Sequence, residues 1–141
     1  MLIIRDSRRQ MTDPATTKHK ICVLDDDPAV RQSLRFLLET HGFKVRTFNA
    51  AVTLLTSIER DDVDCLVIDY RLPHMDGLDV AARLRQQQVA APIVLMTGYP
   101  NQHMAEKAAA AGIDYILFKP DLENSLVMRV REAISRQHPA P

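Results

Sequence analysis

Apolar residues along the chain gather into short runs of strand length at about 21–24, 43–48, 64–69, 92–97 and 113–118. Between them, apolar residues recur every three or four positions, the spacing of helices with one buried face. The first helix should open at Pro28, a residue suited to a first turn, with Asp27 as its N-cap. Val30, Leu34, Leu37 and Leu38 share one face of it, and Gly42 ends it. Val52, Leu55 and Ile58 mark a second helix; Leu78, Val80, Ala81 and Leu84 mark a third, entered through a turn at Asp76 and Gly77. An alanine-rich segment over 104–111, stopped by Gly112, is the fourth, and helix propensity alone explains its composition. Leu122, Leu126, Val130 and Ile134 give the fifth its apolar stripe.

Five strand–helix repeats predict one α/β domain over 20–137, a doubly wound, five-stranded parallel sheet with helices on both faces. The economical arrangement is a flavodoxin-like (βα)5 sheet of order 2-1-3-4-5, which sets strands one and three side by side. Residues 1–19 show no sustained period and read as a flexible leader, with 138–141 as a tail; Met1 and Met11 are both open as the start.

Charge changes this picture little. Acidic and basic residues balance at 18 each, which points to neither a nucleic-acid nor a membrane surface, although residues 1–20 carry five Lys or Arg against two Asp. No apolar run approaches the roughly 18 residues of a membrane helix, and Met1 to Ile4 falls short of the about 7 to 15 of a signal peptide, so a cytoplasmic protein is expected. Cys22 and Cys65 both lie inside strand runs and read as buried thiols rather than a disulfide. The five histidines show no metal-ligand spacing, and His74 reads as an exposed loop residue.

The chemistry concentrates at the ends of the strands. Asp25 and Asp26 close the first run, Asp69 the third and Thr97 the fourth, while Lys119 and Pro120 follow the fifth. In a parallel sheet these ends share one edge, where open α/β sheets keep their ligand crevice. Carboxylates about 4 Å apart repel by roughly 4 kcal/mol at an effective dielectric near 20, so a cation should join them. Oxygen-only ligands suit a hard ion, Mg²⁺ before Ca²⁺ or a transition metal. Asp27 is better used as a helix cap than as a ligand.

Four motifs in order carry a family resemblance: Val23-Leu24-Asp25-Asp26-Asp27, the stretch from Ile68 to Gly77 with Asp69 and Pro73, Leu95-Met96-Thr97-Gly98, and Phe118-Lys119-Pro120. Through them the sequence resembles the CheY-like receiver domains of two-component response regulators over about 20–136. The resemblance implies that Asp69 is the phosphoacceptor, a carboxylate nucleophile that forms an acyl phosphate. It implies that Asp25, Asp26, Asp69 and the backbone carbonyl of Arg71 hold Mg²⁺, and that Lys119 and the Thr97 hydroxyl meet the phosphoryl oxygens. The donor histidine would belong to a sensor kinase or a phosphotransfer protein. With about five residues left after the last helix, a stand-alone receiver is expected, whose output passes to another protein. Helix four, strand five and helix five form the implied docking face, which also serves homodimers. Such a phosphorelay protein acts as a signal to a target or as a sink that drains phosphate from a kinase.

Two departures from the family stand out. Receivers usually carry Tyr or Phe three residues before the strand-five lysine, where this chain has Ile116 beside Tyr115. Either Ile116 packs statically, or Tyr115 takes the aromatic's place through a local bulge. The positions two after Asp69 and two after Thr97, which flank the path of the attacking water in this family, are the bulky Arg71 and Tyr99. The competing reading from another class is a haloacid-dehalogenase-like phosphatase using Asp25 and Asp27, although the chain has no room for its usual cap. The steric shielding by Arg71 and Tyr99 predicts that Arg71→Ala combined with Tyr99→Ala loses phosphate faster than the parent. A dephosphorylation rate that did not change, followed by intact mass after removal of the phosphodonor, would refute it.

Overall fold

The computed structural model describes residues 18–98, 103–119 and 122–137. The leader over 1–17, Tyr99, Pro120 and the tail over 138–141 lie outside the described residues. Five strands form one parallel sheet: β1 (Lys20–Leu24), β2 (Lys44–Phe48), β3 (Cys65–Asp69), β4 (Ile93–Thr97) and β5 (Tyr115–Phe118). Their order is β2-β1-β3-β4-β5, as the alternation of runs predicts. Helices α1 (Pro28–Thr40), α2 (Ala51–Ser57), α3 (Gly77–Gln86), α4 (Met104–Ala110) and α5 (Leu122–Gln137) follow the strands in turn.

The burial of each strand follows from its place in the sheet. The central strands β3 and β4 are buried at every position, and β1 at all but Lys20, so they read as continuous apolar runs. Edge strand β2 alternates, with Lys44 and Arg46 turned to water and Val45 and Phe48 inward. Side chains then divide by strand parity into two cores. Leu24, Leu66, Ile68, Ile93 and Leu95 pack with α2, α3 and α4, whereas Ile21, Val23, Val67, Val94 and Met96 pack with α1 and α5.

Helix ends are set by local chemistry. Asp27 caps α1 with its carboxylate accepting from the Ala29 N–H at 2.9 Å, and Pro28 takes the first turn. Asp76 and Asp79 form a reciprocal capping box at the start of α3. Gly42 and Gly112 end the stretches after α1 and α4 with φ of 93° and 85°, which glycine alone adopts cheaply. The second helix differs from its sequence reading: Val52 is exposed, and Leu54 is the residue fully buried on α2. A helix of seven residues has too few turns for spacing alone to fix its inner face.

The two cysteines sit on neighbouring strands, yet strand register separates them. Ile21 pairs with Cys65 and Cys22 with Leu66, so the two thiols point to opposite faces of the sheet. Both are free, and burial pushes the Cys22 thiol up to about 11 and that of Cys65 higher still. Neither is a reactive thiolate.

Arg85, which sequence patterning did not single out, ties the opposite end of the sheet together. Its guanidinium donates to the carbonyls of Val89 at 2.7 Å, Ala91 at 2.8 Å and Gly112 at 2.6 and 3.1 Å. It also pairs with Asp114, whose Oδ2 accepts from the Ile93 N–H at 2.8 Å.

At the carboxyl edge, α3 approaches β3 closely. A Cβ at Gly77 would lie 2.6 Å from the Asp69 carbonyl oxygen and 2.7 Å from Leu95 Cδ1. The backbone at the end of β3 cannot yield cheaply, so Gly77→Ala should cost about 1–3 kcal/mol, typical of overpacking. Urea denaturation reads this as a lower midpoint with an unchanged slope.

Candidate functional site

Buried polar side chains among the described residues are Asp25, Asp69 and Thr97, and all three stand at the carboxyl edge of the sheet. Strand register brings them there. Leu24 pairs with Ile68, so the residues that follow, Asp25 and Asp69, leave β1 and β3 side by side. Asp69 pairs with Met96 and Thr97 with Phe118, which places Lys119 directly beyond the end of β5. The crevice opens where the sheet order reverses, between β1 and β3.

Carboxylate oxygens of Asp25, Asp26 and Asp69 lie within 4.8 Å of one another. Asp25 and Asp69 are buried, while Asp26 is exposed at the rim. Lys119 Nζ reaches Asp69 Oδ1 at 2.8 Å and Asp25 Oδ2 at 3.9 Å. The ammonium contact is one of charge, because neither of these two oxygens accepts an aligned hydrogen bond. Buried acceptors left in this condition are costly.

The consequence is visible at Asp25. Burial pushes its carboxyl above the usual carboxylate range; the N–H of Asp27, donating to Oδ1 at 2.9 Å, works against this, and the charge of Asp69 adds to it. Hard oxygen donors, spaced to surround a small ion and carrying two orphaned buried oxygens, fit a divalent cation. Mg²⁺ matches this donor chemistry better than a soft or borderline metal.

Two hollows flank the carboxylates. Asp69, Tyr70, Arg71, Thr97, Gly98 and Lys119 line one, and Asp26, Tyr70, Arg71, Leu72 and Asp76 line the other. Arg71 belongs to both. Asp27 stands apart, its carboxylate committed to the first turn of α1, which removes the second acid that a phosphatase of the haloacid-dehalogenase kind would need.

The aromatic question is decided by register. β4 and β5 pair without interruption from Val94 with Tyr115 to Thr97 with Phe118, so no bulge shifts Tyr115 inward. Ile116 packs against the core that contains Met104 and Ala108 of α4. Tyr115 packs toward α5, where Arg136 donates to its hydroxyl at 2.8 Å and the Arg129 guanidinium lies 5.5 Å from the ring centroid.

Comparison with known proteins agrees with this geometry. The family model of the response regulator receiver domain matches residues 21–131. Among curated proteins, the transcriptional regulatory protein FixJ of Bradyrhizobium diazoefficiens is 38% identical over 125 residues, covering 89% of this chain and 61% of its own length. The response regulator protein TodT of Pseudomonas putida is 36% identical, covering 89% of this chain and 54% of its own. The chain thus spans little more than half the length of these relatives, and the expected stand-alone architecture finds no support in them. A solved signal receiver domain of an HD domain-containing protein from Pseudomonas fluorescens Pf-5 superimposes with a TM-score of 0.76 at 30% identity, covering 88% of this chain and all of that one. No helix among the described residues is long and apolar enough to cross a membrane.

The raised Asp25 carboxyl sets the sign of a pH effect. A carboxyl that binds its proton more tightly folded than unfolded contributes stability at low pH that is lost as pH rises through its folded value. Without divalent cations, Asp25→Asn should therefore melt higher than the parent at about pH 8, by roughly 2–6 °C, and the gain should shrink as pH falls. Added MgCl₂ should stabilise the parent more than the variant. Differential scanning calorimetry in EDTA and in MgCl₂ measures both effects; equal melting at each pH would exclude carboxylate repulsion as a source of instability.

Proposed function

Because the chain belongs to the response regulator receiver domain family, we propose that it is the phosphoacceptor of a two-component phosphorelay and that Asp69 takes the phosphoryl group. The observation that carries this reading is a carboxylate buried at the end of β3, 2.8 Å from a lysine ammonium and within 4.8 Å of two further carboxylates. An Asp69 oxygen forms a bond to phosphorus as the bond from phosphorus to a donor imidazole nitrogen breaks. The imidazole keeps the electron pair and is neutral after proton exchange, and the product is an acyl phosphate.

Asp25, Asp26, Asp69 and the Arg71 carbonyl would hold Mg²⁺, which when bound offsets the charge between this acidic edge and an incoming phosphoryl group. Asp25, held through Oδ1, keeps its second oxygen toward the site. Lys119 neutralises phosphoryl oxygen charge from the β5 side, and Thr97, buried at the end of β4, offers its hydroxyl.

The donor is the phosphohistidine of a sensor kinase or of a phosphotransfer protein. The output is a change in contacts to a downstream protein or a second copy, through α4, β5 and α5, with Phe118 and Met128 as exposed apolar residues on the last two. Movement on phosphorylation passes through Thr97 and Lys119 rather than through an aromatic rotation, since Ile116 occupies that position and Tyr115 is engaged with Arg136. Free buried thiols suit a cytoplasmic location. A binding screen with and without beryllofluoride separates a signalling role from a phosphate sink, because a sink needs no phosphate-dependent partner.

Incubation with acetyl phosphate and MgCl₂ should add one phosphoryl mass to the parent and none to Asp69→Asn. EDTA should abolish the adduct, and Asp25→Asn should slow its formation. An adduct of the same yield on Asp69→Asn would place the chemistry elsewhere.

A further inference from the structure

Arg31 lies one turn into α1 and is half-buried. Its neighbour one turn on, Arg35, pairs along the helix with Glu39 at 3.2 Å, the usual arrangement for an exposed helical arginine. Arg31 does otherwise. Its Nη1 reaches back to the end of β1 and donates to the main-chain carbonyl of Asp25 at 2.9 Å.

Asp25 is consequently held at three points: its N–H donates to the Phe48 carbonyl at 3.2 Å, its Oδ1 accepts from the Asp27 N–H at 2.9 Å, and its carbonyl accepts from Arg31. The next residue has none of this. Asp26 is exposed, and its carboxylate accepts no hydrogen bond among the described residues. What directs that carboxylate toward Asp69 is the peptide between Asp25 and Asp26, and the oxygen of that peptide is the one Arg31 holds.

We infer that Arg31 is a positioning residue, which by holding the Asp25 carbonyl aims the Asp26 carboxylate into the cation site. The inference rests on the reading of the acidic edge as a Mg²⁺ site. It has a distinctive sign. A guanidinium bonded to the Asp25 carbonyl, next to the acidic edge, disfavours a second cation by its charge, so its removal should tighten Mg²⁺ binding if charge were its only effect. If Arg31 orients the loop, its removal should weaken binding, as loss of the partners that orient metal ligands commonly does by about 10-fold or more.

Isothermal titration of the full chain with MgCl₂ at fixed ionic strength decides between the two. Arg31→Met should weaken Mg²⁺ binding by about 10-fold, and Arg31→Lys, which keeps both the charge and a donor, should recover most of it. The melting temperature of each variant in EDTA is measured alongside. Mg²⁺ affinity that is unchanged or tighter in Arg31→Met overturns the inference. So does a Met variant that is unfolded in EDTA, because the residue would then hold the fold and not the loop. A parent chain that binds no Mg²⁺, or binds it as well after Asp26→Asn, would instead overturn the reading of the site itself.

Discussion

Two carboxylates, Asp25 and Asp69, are buried side by side at the edge of a parallel sheet, with the Lys119 ammonium as the nearest compensation and Asp26 adding a third negative charge at the rim. Hydrophobic packing cannot favour this arrangement, since charges taken from water without full pairing oppose folding. The two apolar cores on either face must supply the stability that the edge withdraws. On the proposed reading, a cation bound at this edge would relieve the carboxylates and lower the repulsion that a phosphoryl group would meet at Asp69.

The sheet is the reason that this crowding can be held in place. Parallel strands deliver all their carboxyl ends to one edge, and the reversal of order between β1 and β3 opens a crevice there. The opposite end is closed by neutralised contacts, with Arg85 tying the turns that enter β4 and β5 through carbonyls of Val89, Ala91 and Gly112. One end is thus tied by hydrogen bonds, and at the other two buried carboxylate oxygens are left short of partners. Gly77 brings α3 against the end of β3, and Arg31 links α1 to the end of β1, so the helices on both faces also bear on the acidic edge.

β5 divides its two roles between its faces. Ile116, partly buried, packs against the core on the α4 side, and Tyr115 is turned to α5, where two arginines surround it. Tyr115 therefore belongs to the α5 surface.

Much of this protein is written in the order of its residues. Alternation of strand-length runs with helical spacing specifies five βα units, and four polar motifs, each at the end of its own run, specify Asp25, Asp26, Asp69, Thr97 and Lys119 as neighbours. Those features are local, because the period of a strand or a helix and the chemistry of a cap act within a few residues. Register and approach are not local. Only the paired sheet turned Cys22 and Cys65 to opposite faces, kept Tyr115 out of the switch position, and chose Leu54 over Val52 as the inward residue of α2. The carbonyl contacts of Arg31 and Arg85 were likewise invisible, since a side chain that bonds to backbone leaves no complementary residue in the sequence to reveal it.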